Sequence, residues 1–183
     1  MIITKTVGEV YEMLKKYVEY GCCKRRNYAA AYVLIPPDFE NKKPIITLDS
    51  KVTVASFGVT SIPSSEHCLY NINTCQYQGC LREEFNIPSG ERYELCRSIH
   101  AEQMALVNLS HKTTMLPYGM ELTNPLYMSE YDNMYPFMLL YGVDKDGNML
   151  PKIEPCSICG RLIMNAGVDV LTPHDFTNNE GAN

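Results

Sequence analysis

The stretches 97-RSIHAEQMALVNL-109 and 155-PCSICGRLIMNAG-167 decide how this chain is read. In the first, Ile99, Met104, Ala105 and Leu106 can face a core, which predicts a helix over Arg97 to Leu109 with His100 and Glu102 in its first turns. In the second, a helix runs from Cys156 to Ala166, with Ile158, Leu162 and Ile163 inward and Gly167 as its stop. A C-x-x-C pair at a helix N-terminus can bring both sulfurs to one point, where free N–H groups stabilise thiolate charge. His100 adds an imidazole. A Cys2His set leaves one tetrahedral position of a zinc ion open, as catalytic sites do and closed structural sites do not. Glu102, two residues after His100, can lie beside that position without ligating the metal. Its carboxylate could then take a proton from water whose pKa the metal has lowered. A zinc ribbon can also hold a C-x-x-C, and a single helical histidine usually belongs to a core. The joint occurrence of both elements is what separates this chain from those readings.

Working outward, Val10, Tyr11, Leu14, Tyr17 and Val18 follow helical spacing after Thr4 or Thr6 as a cap, and Gly21 suits the residue past the helix end. The apolar run 28-YAAAYVLI-35, stopped by Pro36-Pro37, reads as a buried strand. Alternation in 52-VTVASF-57 predicts a second strand ended by Gly58, with room for a short one before it. Residues 60 to 95 read as a long ordered loop with short helical pieces near EHCLYN and CLREEF, and residues 110 to 134 as irregular. PFMLLYGV, a Lys-Asp-Gly turn, the Cys156 helix and the strand VDVLTP complete the order α-β-β-α-β-α-β, and the tail HDFTNNEGAN is expected to fray. This order implies one α/β domain over residues 1 to 183, a central sheet with helices on its faces.

A net charge of -5 argues against a polynucleotide partner, which usually meets a basic stripe. The start MIITKTVGEVYEMLKK lacks a signal-peptide core and no apolar run is long enough to span a bilayer, so a cytoplasmic protein without membrane contact is expected. In that compartment eight cysteines suggest metal binding or reactivity over disulfides, although a single one such as Cys75 reads best as a small buried residue.

H-x-E with P-C-x-x-C is the signature of zinc deaminases acting on cytosine and adenine. Over most of its length the chain resembles the dCMP (deoxycytidylate) deaminase family of the cytidine-deaminase fold. The resemblance is carried by 79-GCLREEFNIPSGERYELCRSIHAEQMAL-106, by 22-CCKRRNYAAAYVLI-35, in which Arg26 stands at the position of the family's usual arginine, and by 164-MNAGVDVL-171. It implies a three-layer α-β-α sandwich with a central mixed sheet, zinc on His100, Cys156 and Cys159, and Glu102 as acid and base. Substrate contacts are implied at Arg26, Thr60 and Ala101. The basic turn Lys24-Arg25-Arg26 reads equally well as a phosphate contact or as a solvated surface.

Two departures lie toward the sugar and phosphate end. Thr60 stands where the family's Gly-Tyr-Asn-Gly-x-Pro has its nucleotide-binding asparagine, and Met104 stands where the family has asparagine after His-Ala-Glu-x. The implied reaction is hydrolysis of a deoxycytidine nucleotide, dCMP to dUMP and ammonia, which supplies thymidylate synthesis. The open alternatives are dCTP, a modified dCMP, another small base or nucleoside, or a non-catalytic zinc-stabilised binding module. The resemblance also implies a homo-oligomer, often a hexamer, and allosteric control by dCTP and dTTP. Some family members hold a second, structural zinc, for which Cys22, Cys23, His67, Cys68, Cys80 and Cys96 are the candidate ligands.

Overall fold

Thr6 opens the first helix through a reciprocal cap. Its hydroxyl accepts the Glu9 N–H at 3.2 Å, and the Glu9 carboxylate accepts the Thr6 N–H at 2.8 Å. The computed structural model describes residues 1–23, 25–37, 44–61, 70–71, 76–77, 79–88, 91–92, 96, 98–115, 119 and 121–177. Its strands are β1 Ile3–Thr6, β2 Arg26–Ile35, β3 Lys51–Val59, β4 Tyr70–Asn71, β5 Gln76–Tyr77, β6 Thr113–Met115, β7 Glu121–Thr123, β8 Tyr135–Asp144 and β9 Asp169–Leu171. The helices are α1 Val7–Tyr17, α2 Leu81–Glu84, α3 Ala101–Asn108, α4 Ser157–Asn165 and α5 His174–Thr177, with short 3-10 turns between some elements.

A mixed five-stranded sheet runs in the order β1-β3-β2-β8-β9, antiparallel throughout except for the parallel pair β8 and β9. α1 covers one face: Val7, Val10, Tyr11 and Leu14 pack on Ala29, Ala31, Val33, Leu139 and Tyr141. α3 and α4 cover the other, where Ala101, Ala105, Cys159 and Ile163 meet Ala30, Tyr32, Met138 and Leu140. The apolar runs of β2 and β8 therefore have one physical cause, burial on both faces. No helix among the described residues is long and apolar enough to cross a membrane.

A bulge in β3 re-aims its end. Tyr32 pairs with Ser56 but Val33 pairs with Val54, so Ala55 has no cross-strand partner. Val52 and Val54 face α1 before the bulge and Phe57 does so after it, leaving Ala55 and Ser56 both on the α3 side.

Several local expectations change. β1 is too short for its alternation to register, and it pairs with β3 ahead of α1. No strand precedes β3 over residues 44 to 50. Gly58 sits inside β3, which ends at Val59, because helix backbone packs over it. Gly21 has φ -64°, so it is no left-handed stop. It provides room, since a Cβ there would lie 2.4 Å from the Asn27 side chain. On α4, Ile158 and Leu162 are exposed and Cys159 takes the inward position with Ile163, whereas Gly167 ends the helix at φ 66° as expected. The irregular region holds the β6–β7 hairpin, tied down by buried Asn124, whose amide donates to the Leu109 carbonyl at 2.9 Å. Residues 174 to 177 of the tail form α5, with Phe176 edge-on to Tyr11. The helical piece expected near CLREEF is α2. Of EHCLYN, Tyr70 and Asn71 form β4 and the rest lies outside the described residues.

Candidate metal centre and cavity

Past β3 the chain stays extended, and Ser61 exchanges two backbone hydrogen bonds with Ile99, at 3.0 and 2.7 Å. This bridge holds residue 99 in extended form, so α3 begins at Ala101 and not at Arg97. His100 becomes its N-cap, with φ -72° and ψ 151°. The Gln103 side chain accepts the His100 N–H at 3.0 Å. α3 is then seated on the small residues of β3, with the Ser56 hydroxyl donating to the Ala105 carbonyl and the Asn108 amide to the Phe57 carbonyl, both at 2.7 Å.

Cys156 caps α4, its sulfur accepting the Cys159 N–H at 3.5 Å. The two helix starts meet on the same face of the sheet. His100 Nδ1 lies 3.3 Å from the sulfurs of both Cys156 and Cys159, and the three donor atoms all fall within 4.8 Å of one another. A tetrahedral zinc with bonds of about 2.1 Å to nitrogen and 2.3 Å to sulfur spaces such donors by about 3.6 Å, so the set fits the ion in chemistry and in scale. Among the described residues these three form the only cluster close enough to hold a metal.

The electrostatics are those of a tightly coupled group. A hydrogen bond from Cys159, reinforced by His100, pulls the Cys156 thiol well below its ordinary range, while its bond to Cys156 and burial push Cys159 up. Hydrogen bonds to Cys156 and then Cys96 raise His100 to about 10. Cys96 is lowered to about 7, first by its bond to His100 and also by Ser98, whose hydroxyl lies 2.9 Å from its sulfur. Glu102 is 3% exposed, and burial raises its carboxyl against the opposing pull of its own backbone N–H and then of His100.

A cavity of about 510 Å³ opens over this group, and His100, Glu102 and Cys156 form part of its wall. Arg25, Arg26, Arg82 and Lys152 also line it. Arg82 and Lys152 carried no role in the sequence reading, although Arg82 belongs to the Cys-Leu-Arg-Glu block that carries the resemblance; nothing local marked Lys152. Arg82 donates to the Pro88 carbonyl at 2.8 Å, and Lys152 pairs with Glu154 at 2.9 Å. Thr60 lines the cavity too, but its hydroxyl accepts the Tyr28 N–H at 2.9 Å and reaches the Tyr28 carbonyl at 3.4 Å. Ala101 is fully buried in the α3 seat and is not part of the lining.

Of the candidates for a second metal, Cys23, Cys80 and Cys96 face this same cavity, and Cys22 lies beside Cys23. They form no further metal-type cluster among the described residues, outside which His67, Cys68 and Lys24 lie. Compared with known proteins, the chain matches no family model, no curated protein and no solved structure at a significant level.

Proposed function

We propose that this chain is a zinc-dependent deaminase of a cytosine nucleotide, related to the dCMP deaminases of the cytidine-deaminase fold. One observation carries the reading: a buried carboxyl, Glu102, stands beside a three-donor Cys2His cluster at the wall of a cavity. A structural zinc would want a fourth protein donor and has no use for that carboxyl. His100, Cys156 and Cys159 would hold the zinc, which when bound supplies an acidified water. Glu102 takes one proton from the attacking water and passes it to ring N3, then takes the second from the new C4 hydroxyl and passes it to the departing amine. C4–N is thereby exchanged for C4–O and ammonia leaves. Burial raises the Glu102 carboxyl, the direction that suits a group that must both accept and return a proton.

Arg25, Arg26, Arg82 and Lys152 around the same cavity support an anionic substrate such as a nucleotide. Because the Thr60 hydroxyl is engaged by the Tyr28 backbone, these cations are the better candidates for the sugar and phosphate end. That arrangement also favours keeping dCTP or a modified dCMP beside dCMP. Homo-oligomeric assembly and control by dCTP and dTTP belong to the same proposal. The test is ammonia release by zinc-loaded protein from cytidine, dCMP, dCTP and guanine, with and without dCTP and dTTP as effectors. Release from a cytosine nucleotide is expected, and silence across the panel would overturn the reading.

A further inference from the structure

Among the described residues that line the metal-site cavity, Tyr28 is the one that presents an aromatic ring other than the His100 imidazole. Its place there is built from the backbone up. Its N–H donates to the Thr60 hydroxyl at 2.9 Å, and its carbonyl accepts the Thr60 N–H at 2.9 Å. Across the sheet it pairs with Gly142, which has no side chain. A Cβ on Gly142 would stand 2.7 and 2.8 Å from two ring carbons of Tyr28, so the ring lies directly over that glycine. The phenol is close enough to Arg26, Glu102 and Cys156 to feel their charges. A flat ring is thus held over Gly142 beside the donor cluster, in a lining whose other described members, Pro155 apart, are polar, thiol-bearing or charged.

We propose that Tyr28 recognises the heteroaromatic ring of the substrate, while the cations around it meet the anionic end. This inference rests on the deaminase reading for the identity of that ring but not for the contact itself. Stacking on an aromatic side chain is sequence-tolerant and contributes enough to be read in a binding constant.

The experiment measures binding of two probes, dCMP and the ring-less 2-deoxyribose 5-phosphate, to zinc-loaded Glu102→Gln protein so that nothing turns over. Tyr28→Phe and Tyr28→Leu are added to that background. Tyr28→Leu fills most of the same volume over Gly142, which protects the fold. It should weaken dCMP on the order of 10-fold while leaving the ring-less probe within about 2-fold, and Tyr28→Phe should bind both as the parent does. Unchanged dCMP binding in Tyr28→Leu would overturn the proposal. Equal weakening of both probes would too, as would a parent that binds the ring-less probe as tightly as dCMP. Ammonia release by the wild-type chain is scored separately: its absence removes the deaminase reading, and the ratio of the two binding constants still decides Tyr28.

Discussion

Gly58 lies so close to the first turn of α3 that a methyl group on it would stand 2.1 Å from the carbonyl oxygen of Ala101. The same methyl would meet the Ala105 nitrogen at 2.4 Å. Both obstacles are backbone, so no rotamer change relieves them. Since His100 and Glu102 are carried by this helix and its cap, the glycine sets the depth at which the donor cluster sits.

Gly58→Ala should therefore damage both stability and metal affinity. Overpacking of this kind costs about 1–3 kcal/mol, and helix displacement would misplace His100 relative to the two sulfurs. Urea unfolding with a zinc-competition titration checks both. Ser56→Ala, which removes one hydrogen bond to Ala105 without adding bulk, should lose about 1 kcal/mol and keep wild-type zinc affinity.

Glu102→Gln should leave zinc content intact and lower turnover by roughly 10²–10⁴-fold or more. Burial penalises the charged carboxylate, so the neutral amide should not lower the thermal midpoint of the metal-free protein. A variant that keeps wild-type turnover would remove Glu102 from proton transfer.

Zinc content separates the donor cluster from any second site. His100→Ala or Cys159→Ala should hold no zinc, because among the described residues no other cluster is close enough to bind it. A full equivalent remaining would reveal the structural ion. Cys96→Ala should still bind one zinc at this cluster but about 10–100-fold more weakly, through loss of the Cys96 thiol's interaction with His100. Cys96→Ser should recover much of that loss.

Asp144 organises the turn after β8, accepting the N–H groups of Asp146 and Asn148 at 2.9 Å each. Those bonds hold its carboxyl below the ordinary value of 3.8. A depressed carboxyl contributes stability that is fully present above the unfolded pKa and is lost as pH falls through the folded one. The stability gap between wild type and Asp144→Ala should accordingly be constant above about pH 5 and close below 3.8. Denaturant midpoints measured from pH 7 to pH 3 test it.

Features whose signal is local were legible in the order of residues. Of the two threonines offered as the cap of α1, Thr6 takes the role, closing a local box with Glu9 three residues on. β2 and β8 betray their burial by unbroken apolar runs, and the H-x-E and C-x-x-C spacings bring their own donors to two helix starts. Contacts that cross between distant segments were not legible in that order, because they depend on how the elements pair and pack. The Ser61–Ile99 bridge moved the helix start to Ala101 and made His100 a cap. The Ala55 bulge turned Ser56 toward α3, and strand pairing laid Tyr28 over Gly142. Thr60 faces the cavity, yet its hydroxyl is taken up by the Tyr28 backbone, a partner 32 residues away. A residue's type and spacing record what its own element requires; which backbone or cavity it meets depends on how remote elements pair, and that is set by register and packing across the sheet.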